Sequence, residues 1–108
     1  MAYYVTIWQF DIHPSLQATF ERAYGPDGEW VALFRHSPAY VRTDLLHDPA
    51  QPNRYLTLDY WQTQAAWVAF RSAYQIEYAA LDARCSQFTT NEVQIGSFVS
   101  VPSKPLES

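Results

Sequence analysis

Beyond Thr63, the residues Trp67, Phe70, Tyr74, Tyr78, Leu81 and Cys85 follow one another at steps of three or four. That spacing lines one face of a helix. Thr63 is a natural N-cap, so the pattern predicts a long helix over 64–86. A face this apolar has to be covered, and the segments on either side of it read as strands. "RYLTLDYW" (54–61) precedes the helix and "TTNEVQIGSFVSV" (89–101) follows it, both rich in β-branched and aromatic residues.

The same reading extends towards the N-terminus. "YYVTIWQFDI" (3–12) is a strand ended by His13-Pro14, and Pro14 suits the first turn of a helix in which Leu16, Phe20 and Tyr24 form one stripe. "AYVRTDLLHD" (39–48) is a strand joined to 54–61 through the proline-bearing loop "PAQPN". The order β-α-β-β-α-β predicts an α+β, ferredoxin-like fold with both helices on one face of a four-stranded antiparallel sheet. A single domain over 1–101 and a flexible tail over 102–108, "PSKPLES", complete the division.

Alternation leaves the other face of the sheet apolar too. Val5 and Ile7 point away from Tyr4, Trp8, Phe10 and Ile12, and Leu56, Leu58 and Tyr60 point away from Tyr55 and Trp61. Two copies packed sheet to sheet would bury that face, so a homodimer is expected.

Residues 14–37 would make a helix of 24 residues. At about 1.5 Å per residue it would run roughly 36 Å and overshoot the sheet. Gly25-Pro26-Asp27-Gly28 therefore reads as a bend, with glycine admitting left-handed backbone and Asp27 capping or opening a short second helix. That helix, "EWVALF", directs Trp30, Leu33 and Phe34 to the core. A phosphate loop is the weaker reading of these glycines, because no glycine-rich phosphate motif and no nearby lysine accompanies them.

Seven basic residues are spread singly through a chain of net charge −4, which argues against nucleic acid and anionic membranes as partners. No apolar run is long enough to span a bilayer. The single Cys85 fits a reducing compartment, so the expected location is cytoplasmic, and the N-terminal segment reads as a strand rather than a signal peptide. Aromatic residues reach 17%, enough for a ring-rich core or for rings that line a pocket.

Several segments together carry a family resemblance: "IWQF", "FERAYGPDGEWVALFRHSPAYVRTDLL", "YLTLDYW", "AFRSAYQIEYAALDARC" and "IGSF". The chain resembles the dimeric α/β-barrel superfamily, and in particular domains of the antibiotic biosynthesis monooxygenase type. The Asp59-Tyr60-Trp61 triplet before the long helix is a familiar feature of such domains. The resemblance implies a homodimer with one pocket per subunit between sheet and helices. Characterised members of this type carry out cofactor-free oxidation of polycyclic aromatic phenols, quinol oxidation or haem degradation, and other members have no demonstrated reaction. The haem-degrading branch uses a histidine on the long helix, and this chain has none between 48 and 108. No cofactor and no metal is therefore expected.

A cofactor-free oxygenase needs aromatic walls, a proton acceptor and donors that steady an anion. Trp67, Phe70 and Tyr74, facing Trp30 and Phe34, are candidate walls, with Tyr24, Tyr74 and Tyr78 as donors; the same stripe also reads simply as core. Tyr74 and Asp59 are the candidate catalytic residues. Tyr24, Trp30, Phe34, Trp67, Phe70 and Tyr78 are the candidate substrate-binding residues. Asp59 has two readings: a base whose pKa burial raises, or one member of an ion pair with Arg42, which Asp44 could equally partner. His13, His36 and His47 lie apart, without metal-ligand spacing, and Cys85 on the stripe reads as a buried inert thiol. Three functions remain open at this level. The first is a cofactor-free monooxygenase for a small aromatic or quinone-like compound. The second is a non-catalytic or stress-related dimer holding a small hydrophobic molecule, and the third is a dimerisation module without a cavity.

Overall fold

The computed structural model describes residues 2–102; the expected tail from 103 onward lies outside the described residues. Four strands, β1 (Tyr4–Ile12), β2 (Tyr40–His47), β3 (Arg54–Trp61) and β4 (Thr89–Val99), form one antiparallel sheet in the order β2-β3-β1-β4. Helices α1 (Gln17–Tyr24), α2 (Glu29–Phe34), α3 (Gln64–Ala73) and α4 (Gln75–Cys85) supply the rest of the core. This is the α+β, ferredoxin-like arrangement that the element order implies. Strand β3 alternates strictly, with Tyr55, Thr57, Asp59 and Trp61 buried and the residues between them partly exposed. The core on the helix side is aromatic: Phe34 meets Trp61 at 5.5 Å and Phe70 at 5.6 Å, edge to face in both cases.

The bend after α1 falls where expected, for a different local reason. Gly25 and Gly28 both have extended backbone, at φ −77° and −86°, so left-handed geometry is not what selects glycine. The selection is steric. A Cβ on Gly28 would run into the carbonyl oxygen of Ala23 and lie 2.6 Å from that of Arg22, and one on Gly25 would lie 2.6 Å from that of Glu21. Gly28 is itself the N-cap of α2 with no side-chain cap, so Asp27 does not cap that helix. The run before α1 likewise opens as a short 3₁₀ turn, Pro14–Leu16.

The expected single helix over 64–86 is two helices. Tyr74 leaves helical geometry at φ −114°, ψ 28° and separates α3 from α4. The length argument that bends the first helical segment applies here as well. Twenty-three residues of helix would run about 34 Å, against about 26 Å for an eight-residue strand such as β3. Thr63 does cap α3, accepting the Ala66 N–H at 3.1 Å.

The sheet's second face carries Val5, Ile7, Leu56, Leu58 and Tyr60 at its centre, in the register Val5↔Tyr60 and Ile7↔Leu58. Towards its edges, Leu46, Val93 and Phe98 are 48%, 42% and 49% exposed.

Candidate functional site

Between the helices and the sheet lies a half-open cavity of about 210 Å³. Its floor is strand. Thr43, Asp59 and Thr6 pair across β2, β3 and β1 and form a polar row on the helix-facing side. Thr57 and Trp8 pair in the next row and also reach the cavity. The walls are rings from the helices. Tyr24 ends α1, Trp30 and Phe34 stand on α2, Trp67 on α3 and Tyr78 on α4. Trp30 meets Tyr78 edge to face at 4.9 Å, and Tyr24 lies 5.9 Å from Trp30.

Asp59 is the distinctive group. It is only 8% exposed, and its Oδ1 accepts a hydrogen bond from the Thr43 hydroxyl at 2.6 Å. Burial pushes its carboxyl up to about 7, against a weaker lowering by the Thr43 hydrogen bond. Among the described residues no cation pairs with it. The expected partner, Arg42, is on the other side of the sheet, bound to Asp44 at 3.4 Å and lying 4.0 Å over the Tyr60 ring. The cause is a bulge at Val41: the register runs Tyr40↔Trp61 and then Arg42↔Tyr60, which turns Arg42 and Asp44 to the open face. The Arg42–Asp59 ion pair is thereby corrected, while the Arg42–Asp44 pair forms, exposed rather than buried.

Other polar groups stand round the cavity. Arg71 lies 3.8 Å over the Tyr78 ring and 5.4 Å from that of Trp67. Asp82 and Glu92 also line the cavity, and burial, then the charge of Asp82, pushes Glu92 up. Burial likewise pushes Tyr78 up to about 12 and Tyr24 higher still. Both phenols therefore remain protonated donors near neutral pH.

Asp59, Tyr24, Trp30, Phe34, Trp67 and Tyr78 come together in this way, as the sequence suggests. Phe70 and Tyr74 do not line the cavity. Phe70 is packed into the core against Trp61 at 5.1 Å. Tyr74, at the break between α3 and α4, stacks on Phe70 at 5.0 Å and on His36 at 5.3 Å. The helical stripe treats all its members alike, yet only Trp67 and Tyr78 of its aromatic residues line the cavity. Thr6, Thr43 and Thr57 were missed by sequence reasoning, as were Arg71, Asp82 and Glu92. Only the alternation around Asp59 could have signalled Thr57.

His36 and His47 each stack on a tyrosine ring. His47 stacks on Tyr55 at 4.4 Å with its Nε2 2.7 Å from the Pro52 carbonyl. Among the described residues no group of three or more His, Cys, Asp or Glu side chains is placed to hold a metal ion. Cys85 is buried, and burial pushes its thiol up. No described helix is long and apolar enough to cross a membrane.

Comparison with known proteins agrees with this architecture. SnoaB from Streptomyces nogalater, a cofactor-independent oxygenase, is 18% identical, covers all of both chains and superposes with a TM-score of 0.69. An 18% identical protein from Bordetella bronchiseptica, described as a putative antibiotic biosynthesis monooxygenase, covers 98% of this chain and all of its own at 0.68. The ActVA-Orf6 monooxygenase of Streptomyces coelicolor, solved with nanaomycin D, is 14% identical at 0.65, over 99% of this chain and 93% of its own. At such identities the likeness is one of fold. No curated protein matches the chain. The family model for antibiotic biosynthesis monooxygenase matches residues 3–80, and with most of the sequence so matched the chain belongs to the antibiotic biosynthesis monooxygenase family.

Proposed function

We propose that this protein is a cofactor-independent monooxygenase that oxidises a small aromatic or quinol-type compound in the cavity above Asp59. The observation that carries the reading is the carboxylate itself: buried, unpaired with any cation among the described residues, and set in the floor of an aromatic-walled cavity. A carboxyl raised to about 7 is half ionised at neutral pH, the range in which a general base is most effective. The fold shared with a cofactor-independent oxygenase supports the same reading.

For an activated methylene flanked by aromatic rings the chemistry balances as follows. Asp59 takes one C–H proton and leaves a delocalised carbanion, which the Tyr24 and Tyr78 hydroxyls and the Arg71 guanidinium, all from residues that line the cavity, would steady. The carbanion passes an electron to dioxygen, and the resulting radicals join as a C–O bond. The peroxide takes the proton from Asp59. Loss of the second C–H proton then breaks the O–O bond, giving a carbonyl and water. The substrate is the reductant and dioxygen the oxidant.

The open sheet face belongs to the same proposal, as the surface through which two copies pair. Buried Cys85 is consistent with a reducing, cytoplasmic setting. Incubation with anthrone under ¹⁸O₂ tests the chemistry: one labelled oxygen should appear in the anthraquinone and one in water. Saturable binding of anthrone and of a naphthoquinol without oxygen uptake would instead make the cavity a holder of hydrophobic ligands.

A further inference from the structure

The hydrogen bond of Asp59 to Thr43 is the first link of a longer chain. Thr43 is in turn 2.7 Å from the Tyr40 hydroxyl. A threonine hydroxyl has one proton. With that proton given to the carboxylate, the Tyr40 hydroxyl must be the donor to Thr43, so the three groups form one directed chain. Residues three apart in a regular strand point to opposite faces. The bulge at Val41 is what puts Tyr40 and Thr43 on the same side, opposite Trp61 and Asp59. Both residues also line a second, half-open pocket of about 250 Å³ bordered by Arg35 and Arg42. Thr43 thus borders both cavities.

We infer that the hydroxyls of Thr43 and Tyr40 are a proton relay that joins Asp59 to this second pocket, so that the base can exchange its proton while substrate fills the main cavity. The inference rests on the reading of Asp59 as the base. A flat molecule seated over Asp59 would shut out the water that otherwise reaches it through the mouth. At neutral pH a large share of molecules would then be caught with Asp59 protonated and unable to act. A relay along the helix-facing side of the sheet releases that proton: each hydroxyl passes one on and takes one up, so that neither hydroxyl has to ionise. Burial pushes Tyr40 up, which keeps it a neutral phenol that can do this. The titratable and charged groups facing Asp59 across the cavity are Tyr78, Arg71 and Asp82 from α3 and α4, Tyr24 from α1 and Glu92 from β4. Among the described residues none of them hydrogen bonds to its carboxylate, so none offers a competing direct path.

The test is an anaerobic pH jump. Anthrone is bound to the protein at about pH 6 and the mixture is brought to about pH 8, across the range in which a raised carboxyl ionises, while the absorbance of the bound anthrone anion is followed. Tyr40→Phe leaves the Thr43–Asp59 hydrogen bond in place and should slow the anion's appearance by at least about tenfold, the scale of a lost proton-transfer step. Thr43→Val should slow it similarly, and Thr43→Ser should restore it. Imidazole, small enough for the second pocket, should speed the Tyr40→Phe protein in proportion to its concentration. A merely structural role would leave the rate after the jump unchanged in Tyr40→Phe. If Asp59→Asn abolishes the anion while Tyr40→Phe and Thr43→Val form it as fast as the parent, the relay is wrong and the base stands. If Asp59→Asn forms the anion normally, the base reading fails and the relay with it.

Discussion

The unfolded chain ionises Asp59 near the ordinary 3.8, whereas the folded chain does so only at about 7. Between those values the unfolded state releases a proton that the folded state keeps, so the folded state loses stability as pH rises through the window and gains nothing back above it. Asp59→Asn keeps an oxygen for the Thr43 hydroxyl and removes the charge. It should therefore stabilise the protein at pH 8 by about 2–4 kcal/mol, with little effect near pH 4, as read from denaturant unfolding at both pH values. The same substitution should remove the activity, a familiar opposition between stability and function. Tyr74→Phe is the contrasting case: with Tyr74 outside the cavity lining, turnover should stay within about twofold of the parent. Choosing Tyr78 over Tyr74 was not legible in the sequence, because both are tyrosines on one stripe. Asp59 was legible as a candidate through its alternation with Thr57 and Trp61. Its lack of a partner was not, since that depends on the register of another strand.

At the level of elements, residue patterns carried most of the information. Four strands, the bend at Gly25–Gly28 and the capped start of α3 are all visible in residue type and period. Two irregularities that shape the site have no glycine or proline to mark them and were missed: the bulge at Val41 and the helix break at Tyr74. Each follows from fitting elements to a sheet of limited length and to a neighbour's register, and neither constraint is local. The bend shows how a correct location can rest on the wrong reason. Gly28 is needed because the α1 carbonyls press against its α-carbon, with no positive φ involved. Gly28→Ala should cost at least about 2 kcal/mol in urea unfolding, since backbone rather than a mobile side chain would have to move. A loss below about 0.5 kcal/mol, the size of an ordinary surface change, would contradict this.

For the whole molecule the unsettled surface is the open sheet face. Exposed Leu46, Val93 and Phe98 lie beside a central apolar strip, and a contiguous apolar patch of this kind is a surface for association. The protein should sediment as a dimer at micromolar concentration, and Phe98→Glu should give a folded monomer with unchanged circular dichroism, because Phe98 is half exposed in the single chain. The residues of the catalytic proposal all belong to one chain, so it can be tested apart from assembly. The most direct test is oxygen uptake with anthrone as a function of pH, for the parent and for Asp59→Asn. The rate should rise with pH through about 7, as a base with that ionisation requires. Asp59→Asn should lower it by at least about 100-fold. An Asp59→Asn protein with the parent's rate and pH profile would contradict the account.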